Sequence, residues 1–150
     1  MAQQHYHPVS RYIHWFMAAI FIIAWAIGFY STEFMTYGVD ANKGSVITLH
    51  KNIASTILFL VVIRIFWRYT HPAPKLPDTM SAGMKKMAHV AHYVLYFLLL
   101  AIPISGCIFS WSAGHPVPVL YSFEIPRLMA ENKELVKYAR PVHEYLSLFA

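Results

Sequence analysis

The feature that most constrains this chain is a set of three apolar runs, each long enough to cross a lipid bilayer. Tyr12–Tyr30 reads YIHWFMAAIFIIAWAIGFY, Ser45–Trp67 reads SVITLHKNIASTILFLVVIRIFW, and Met87–Trp111 reads MAHVAHYVLYFLLLAIPISGCIFSW. At about 1.5 Å of rise per residue, about 20 residues cover the roughly 30 Å of hydrocarbon in a membrane. A segment in that medium must satisfy its own backbone hydrogen bonds, so each run reads as a transmembrane helix. Aromatic residues sit near both ends of the first run, and Arg64 and Arg68 close the second. Pro103 and Gly106 in the third run are tolerated because neighbouring helices can satisfy the freed backbone groups, and a kink is expected near Pro103.

The connecting segments carry loop chemistry. Ser31–Gly44 holds Glu33, Asp40, Asn42, Lys43 and two glycines; the stretch HPAPKLPDTMSAGMKK has three prolines and cannot continue a helix. Ser112–Arg140 reads as a polar loop outside the bilayer, with a short helix around Leu128–Tyr138. PVHEYLSLFA, Pro141–Ala150, begins like another helix with Pro at its first position and rises about 15 Å. The expected fold is all-α: a transmembrane four-helix bundle of three full helices plus the first half of a fourth, in one domain over residues 1–150.

Composition removes several alternatives. Hydrophobic residues make up 57% of the chain and charged residues 13%, far from a soluble domain of this size. The net charge of +5 does not mark a nucleic-acid binder, since the basic residues fall at the ends of apolar runs and line no amphipathic face. A single cysteine, Cys107, excludes an internal disulfide, a multi-thiolate zinc site and the Cys-x-x-Cys-His attachment of a c-type haem. The second loop, with Lys75, Lys85 and Lys86 against only Lys43 in the first, reads as cytoplasmic. The N-terminus with Arg11 is then cytoplasmic, and the first and third loops are outside.

Nine histidines in so apolar a chain call for a function, because ionisable groups at membrane depth are costly. His50 lies one turn into the second helix, and His143 opens the fourth at the same outer depth. Two imidazoles on different helices at one depth are what a six-coordinate haem iron requires as axial ligands, so His50 pairs with His143. His14 lies just under the cytoplasmic surface, as one ligand of a second haem or as an interfacial side chain. A fourth helix would present the face of His143 again 14 residues on, about 21 Å away, at position 157. Arg64 stands in that relation to His50, placed to pair with a haem propionate or to snorkel as an anchor. His89 and His92 share a face near the cytoplasmic end of the third helix; either could ligate the haem opposite His14, pack between helices or bond a quinone. His5, His7, His71 and His115 read as solvated tail and loop residues.

These stretches together resemble the bacterial cytochrome b561 family of small four-helix, di-haem membrane cytochromes. RYIHW at Arg11–Trp15, ITLHKNIAS at Ile47–Ser55, VVIRIFWRYTHPAP at Val61–Pro74, MAHVAHYVLYFLLLAIPISG at Met87–Gly106 and the late His143 carry the resemblance in order and spacing. It implies two haems b, one held by His50 and His143, the other by His14 and a further histidine beyond residue 150, and a place in the bacterial cytoplasmic (inner) membrane.

Bis-histidine ligation leaves no open iron position and suits one-electron transfer. The expected function is electron transfer between an outer-face donor or acceptor, with superoxide or a periplasmic redox protein as candidates, and the membrane quinone pool. Some family members resemble a superoxide:ubiquinone oxidoreductase, and Lys43, Lys51, Lys137 and Arg140 are placed to draw an anion to the outer surface. The alternative is a relay subunit that takes electrons from a partner dehydrogenase or hydrogenase and performs no chemistry of its own. A non-haem transporter would leave the matched histidine depths unexplained.

Overall fold

Helix α1, Pro8–Glu33, starts where His7 accepts the Val9 amide on its Nδ1 and Pro8 presets the first turn. The computed structural model describes residues 6–149. A second helical span follows in two pieces, α2 Lys43–Ala54 and α3 Thr56–Thr70; α4 runs Ala82–Ser112, capped by Ser81 through the Met84 amide. A short hairpin, β1 Val117–Val119 and β2 Phe123–Ile125, precedes α5, Lys133–Leu148. At the start of α5, Asn132 Oδ1 accepts both the Glu134 and Leu135 amides at 3.1 Å, and Glu134 complements the positive end of the helix.

The molecule is mostly helical, and three helical spans, Pro8–Glu33, Lys43–Thr70 and Ala82–Ser112, are long and apolar enough to cross a membrane. Their outward surfaces carry large apolar side chains such as Phe16, Ile22, Val62, Phe66 and Phe97, as lipid-facing surfaces do. α1 packs on α2 and α3, while α4 packs on α5 and α3.

Three departures from the sequence expectation bear on the site. The second span is broken at Ser55, where the Asn52 carbonyl accepts the Leu120 amide at 3.2 Å and the helical ladder loses a rung. The fourth helix begins at Lys133, so Pro141 lies inside it; of the separate short helix expected around Leu128–Tyr138, residues 128–132 are not helical and 133–138 form the first part of α5. The capping of Asn132, invisible to a search that begins from proline, decides that start. The segment expected as a free polar loop contains an antiparallel hairpin with Val117 opposite Ile125 and Val119 opposite Phe123. Val117 and Val119 are buried, and β1 bridges α2 and α4, which touch each other little.

The hairpin turn is strained. Leu120 (φ 48°) and Tyr121 (φ 55°) both occupy the left-handed region, where a non-glycine residue costs on the order of 1–2 kcal/mol.

Candidate haem site

His50 on α2 and His143 on α5 come together with ring centroids 6.2 Å apart and planes inclined at 67°. Each ring is anchored by the helix beside it. His50 Nδ1 lies 2.8 Å from the Ala24 carbonyl on α1. His143 Nδ1 lies 3.0 Å from the Ile102 carbonyl and 3.1 Å from Ser105 Oγ, both on α4. A carbonyl can only accept, so Nδ1 of each ring carries the proton and Nε2 keeps its lone pair. This is the usual arrangement around a metal-ligating histidine, whose second nitrogen donates to a backbone carbonyl and fixes the ring.

Glycine makes room for both rings. A Cβ at Gly28 on α1 would sit 2.9 Å from His50 Cε1, and a Cβ at Gly106 on α4 would sit 2.9 Å from His143 Cε1. A glycine inside an apolar helix costs roughly 1 kcal/mol relative to alanine, which is the signal by which the sequence could have disclosed these two positions.

The geometry fits one metal. With bonds of about 2 Å from each Nε2 to a shared ion, trans imidazoles place their centroids about 6 Å apart. Among the described residues no group of three or more His, Cys, Asp and Glu side chains gathers to hold an ion. Two imidazoles therefore suit a metal that brings its remaining ligands in a macrocycle, which is the chemistry of haem iron.

The other sequence candidates lie elsewhere. His14 is exposed, and its Nδ1 is 3.0 Å from Arg64 Nη1; since guanidinium only donates, this nitrogen accepts and the proton sits on Nε2. That tautomer is opposite to the one held at His50 and His143. Arg64 also reaches the Tyr96 hydroxyl at 3.4 Å. The structure thus puts His14 and Arg64 together, at the other end of the bundle from the histidine pair. His92 is exposed and turns Nδ1 to the Ala88 carbonyl of its own helix at 2.6 Å; His89 is exposed one turn before it.

Of the histidines read as solvated, His115 is exposed. His71 instead stacks on Trp67, centroids 3.9 Å apart, with His7 beside both rings, because Trp67 ends α3 next to the start of α1. His5 lies outside the described residues.

The four cations expected at the outer surface are unequal. Lys137 pairs with Glu134 at 2.7 Å and Arg140 with Glu144 at 2.8 Å. Lys43 Nζ donates to the Met35 carbonyl at 2.7 Å, and Lys51 Nζ to Ser110 Oγ at 2.9 Å. Ala24, Gly28, Ile102 and Ser105 adjoin the two rings and are not singled out by the sequence reading, which takes Gly106 only as a helix-breaking residue tolerated in the third run.

Comparison with known proteins identifies the family. A profile of the prokaryotic cytochrome b561 family matches residues 5–150. "Cytochrome b561 homolog 2" of Escherichia coli (strain K12) is 30% identical over 144 residues, covering 96% of this chain and 76% of that protein. "Probable superoxide oxidase CybB" of Yersinia pestis is 26% identical over 135 residues, covering 90% of this chain and 74% of that protein. With a bundle of membrane-spanning helices and a facing pair of anchored histidines, the chain is a membrane cytochrome of the b type, which functions in electron transfer. It belongs to the prokaryotic cytochrome b561 family.

Proposed function

We propose that His50 and His143 are the axial ligands of a haem b near the outer face, and that the protein passes electrons from an outer donor to the membrane quinone pool. The observation that carries the reading is the matched tautomer of the two rings: both Nδ1 atoms are committed to carbonyl oxygens at hydrogen-bonding distance. A bound haem would supply a one-electron couple. The chain's own residues hold the imidazoles and fix their protons on Nδ1.

Superoxide is the donor we favour, supported by the similarity to a protein named as a superoxide oxidase. Two superoxide ions give up one electron each and leave as two dioxygen molecules; a quinone taking both electrons with two protons becomes a quinol. Lys43 and Lys51 stand nearest the role of anion attraction, because among the described residues neither is paired with a carboxylate. We place the histidine pair on the outer side of a bacterial inner membrane, with the N-terminus cytoplasmic.

A second haem at the cytoplasmic side would use His14, with Arg64 moving from His14 Nδ1 to a propionate. His92, whose tautomer already frees Nε2, is a further imidazole at that side.

The test is a reduced-minus-oxidised visible spectrum with pyridine haemochrome quantitation on detergent-purified protein and its His50→Ala, His143→Ala and His14→Ala variants. A b-type signal lost equally with His50 and His143 supports the ligand pair. An unchanged count of low-spin haem per chain in both variants rules it out. Electron uptake from superoxide into a quinone analogue separates the oxidase from a relay subunit, which would be reduced only by its partner.

A further inference from the structure

We propose that the β1–β2 hairpin is the spacer that sets the gap between His50 and His143, and that Asn52 is the positioning residue that locks the spacer in place. The inference rests on reading the two histidines as ligands of one haem.

The two rings belong to different halves of the molecule. His50 is held between α2 and α1, and His143 between α5 and α4, and within each half the helices pack directly. Across the halves, α3 meets α4 at one level, but α2 reaches α4 through β1. The buried Val117 and Val119 stand where helix-to-helix contact would otherwise be. A second tie across the same gap is the bond from Lys51 Nζ to Ser110 Oγ. Just beyond His50 the halves are therefore held apart by a packed strand, and core packing resists compression and expansion alike.

Asn52 fixes where that strand sits. It lies two residues after His50 and is 1% exposed. Its Oδ1 accepts the Tyr121 amide at 2.6 Å, its carbonyl accepts the Leu120 amide, and its Nδ2 donates to the Thr48 carbonyl at 2.9 Å. One turn on, Ser55 Oγ donates to the Pro118 carbonyl at 2.8 Å. The two amides that Asn52 captures are those of the two left-handed residues. Turns whose two central residues are both left-handed are ordinarily Asn-Gly or Asp-Gly. A Leu-Tyr turn keeps that backbone only where its surroundings over-determine it, and Asn52 supplies that determination. The break in the helical span at Ser55 frees the carbonyl that receives Leu120, so the helix break, the strained turn and the buried asparagine form one device.

The experiment uses the haem-loaded, detergent-purified protein with two readouts. Amide hydrogen exchange over residues 117–125 reports the hairpin, and ferric spin state with carbon monoxide binding to the ferrous form reports the iron. Asn52→Ala is expected to speed exchange of the Leu120 and Tyr121 amides by about tenfold or more. It should also create a high-spin, carbon monoxide-binding fraction absent from the wild type. Ser55→Ala should move both readouts the same way and less far. Tyr121→Gly keeps the captured amide and removes backbone strain, so it should leave the iron low-spin and slow the exchange. Faster exchange in Asn52→Ala with unchanged spin state and no carbon monoxide binding would overturn the spacer role; unchanged exchange would overturn the lock. Should Asn52→Ala fail to accumulate, Ser55→Ala with both readouts unmoved overturns the proposal. A wild-type spectrum without bis-imidazole haem, or a low-spin haem count left unchanged by His50→Ala, is the separate failure of the ligand assignment.

Discussion

Gly28 and His50 stand so close that a single added carbon does not fit: a Cβ on Gly28 would meet Cε1 of the imidazole at 2.9 Å and Nδ1 at 3.0 Å. Gly106 bears the same relation to His143. Each glycine lies on the helix whose carbonyl anchors the ring, so an added methyl would push the imidazole off its hydrogen bond as well as off its axis. Gly28→Ala and Gly106→Ala are each expected to cost about 1–3 kcal/mol by overpacking and to reduce haem content at the histidine pair. Gly83→Ala is the control, since its nearest neighbour is Ser81 Oγ at 4.0 Å; it should be neutral or stabilise by up to about 1 kcal/mol. Thermal unfolding and haem stoichiometry of the three variants check this, and equal behaviour of all three would contradict it.

Ser105 tunes His143 without being needed to hold it. The Nδ1 proton is shared between Ile102 O and Ser105 Oγ, and the carbonyl remains in Ser105→Ala. The variant should keep its haem. Losing one acceptor makes the imidazole a weaker electron donor, which favours ferrous iron. The midpoint potential should rise by on the order of 20 mV, the one-electron equivalent of part of one hydrogen bond. Potentiometric titration against the wild type decides it, and a fall in potential would refute the assignment of Nδ1 as donor.

The sequence made the three spans legible because length and apolarity in a bilayer leave few alternatives, and it made His50 and His143 legible because helical rise converts spacing into depth. It did not disclose what lies between the spans. The hairpin depends on Asn52 and Ser55, which read as unremarkable polar residues in a helix, and on a Leu-Tyr turn that carries no turn signature. The start of α5 was masked by Pro141, a residue equally at home at a helix start and, with a local kink, inside one. Gly28, Gly106 and Ser105 needed coordinates, since small residues inside apolar helices serve close packing of any kind.

If superoxide is the donor, anion attraction should be carried by the cations that no carboxylate offsets. Lys137→Met and Arg140→Met each remove a charge already paired on its own helix, with Glu134 and Glu144, and should change the rate of haem reduction little. Lys51→Met removes an ammonium held by a neutral hydroxyl beside His50 and should slow reduction severalfold at low salt, converging on the wild-type rate as ionic strength rises. Stopped-flow reduction over a salt series measures this. A salt dependence unchanged in Lys51→Met would remove Lys51 from the path of the donor.

Arg64 and His14 make the last prediction, because their contact cannot persist if His14 ligates iron through Nε2. The guanidinium donates to Nδ1 at 3.0 Å, which places the ring's proton on Nε2, and ligation requires that proton to move to Nδ1, where it would face the Arg64 donors. Haem binding at His14 therefore turns Arg64 away, toward the nearest anion that the haem itself brings, a propionate. A cation beside a haem favours the reduced state, so Arg64→Ala should lower the midpoint potential of the His14 haem and leave that of the His50 and His143 haem where it was. Arg64→Lys keeps the charge and loses the forked contact, and its potential should lie between the two. A redox titration resolved into components reads this directly. An unchanged potential in Arg64→Ala, with the His14 haem present, would show that Arg64 does not serve the propionate.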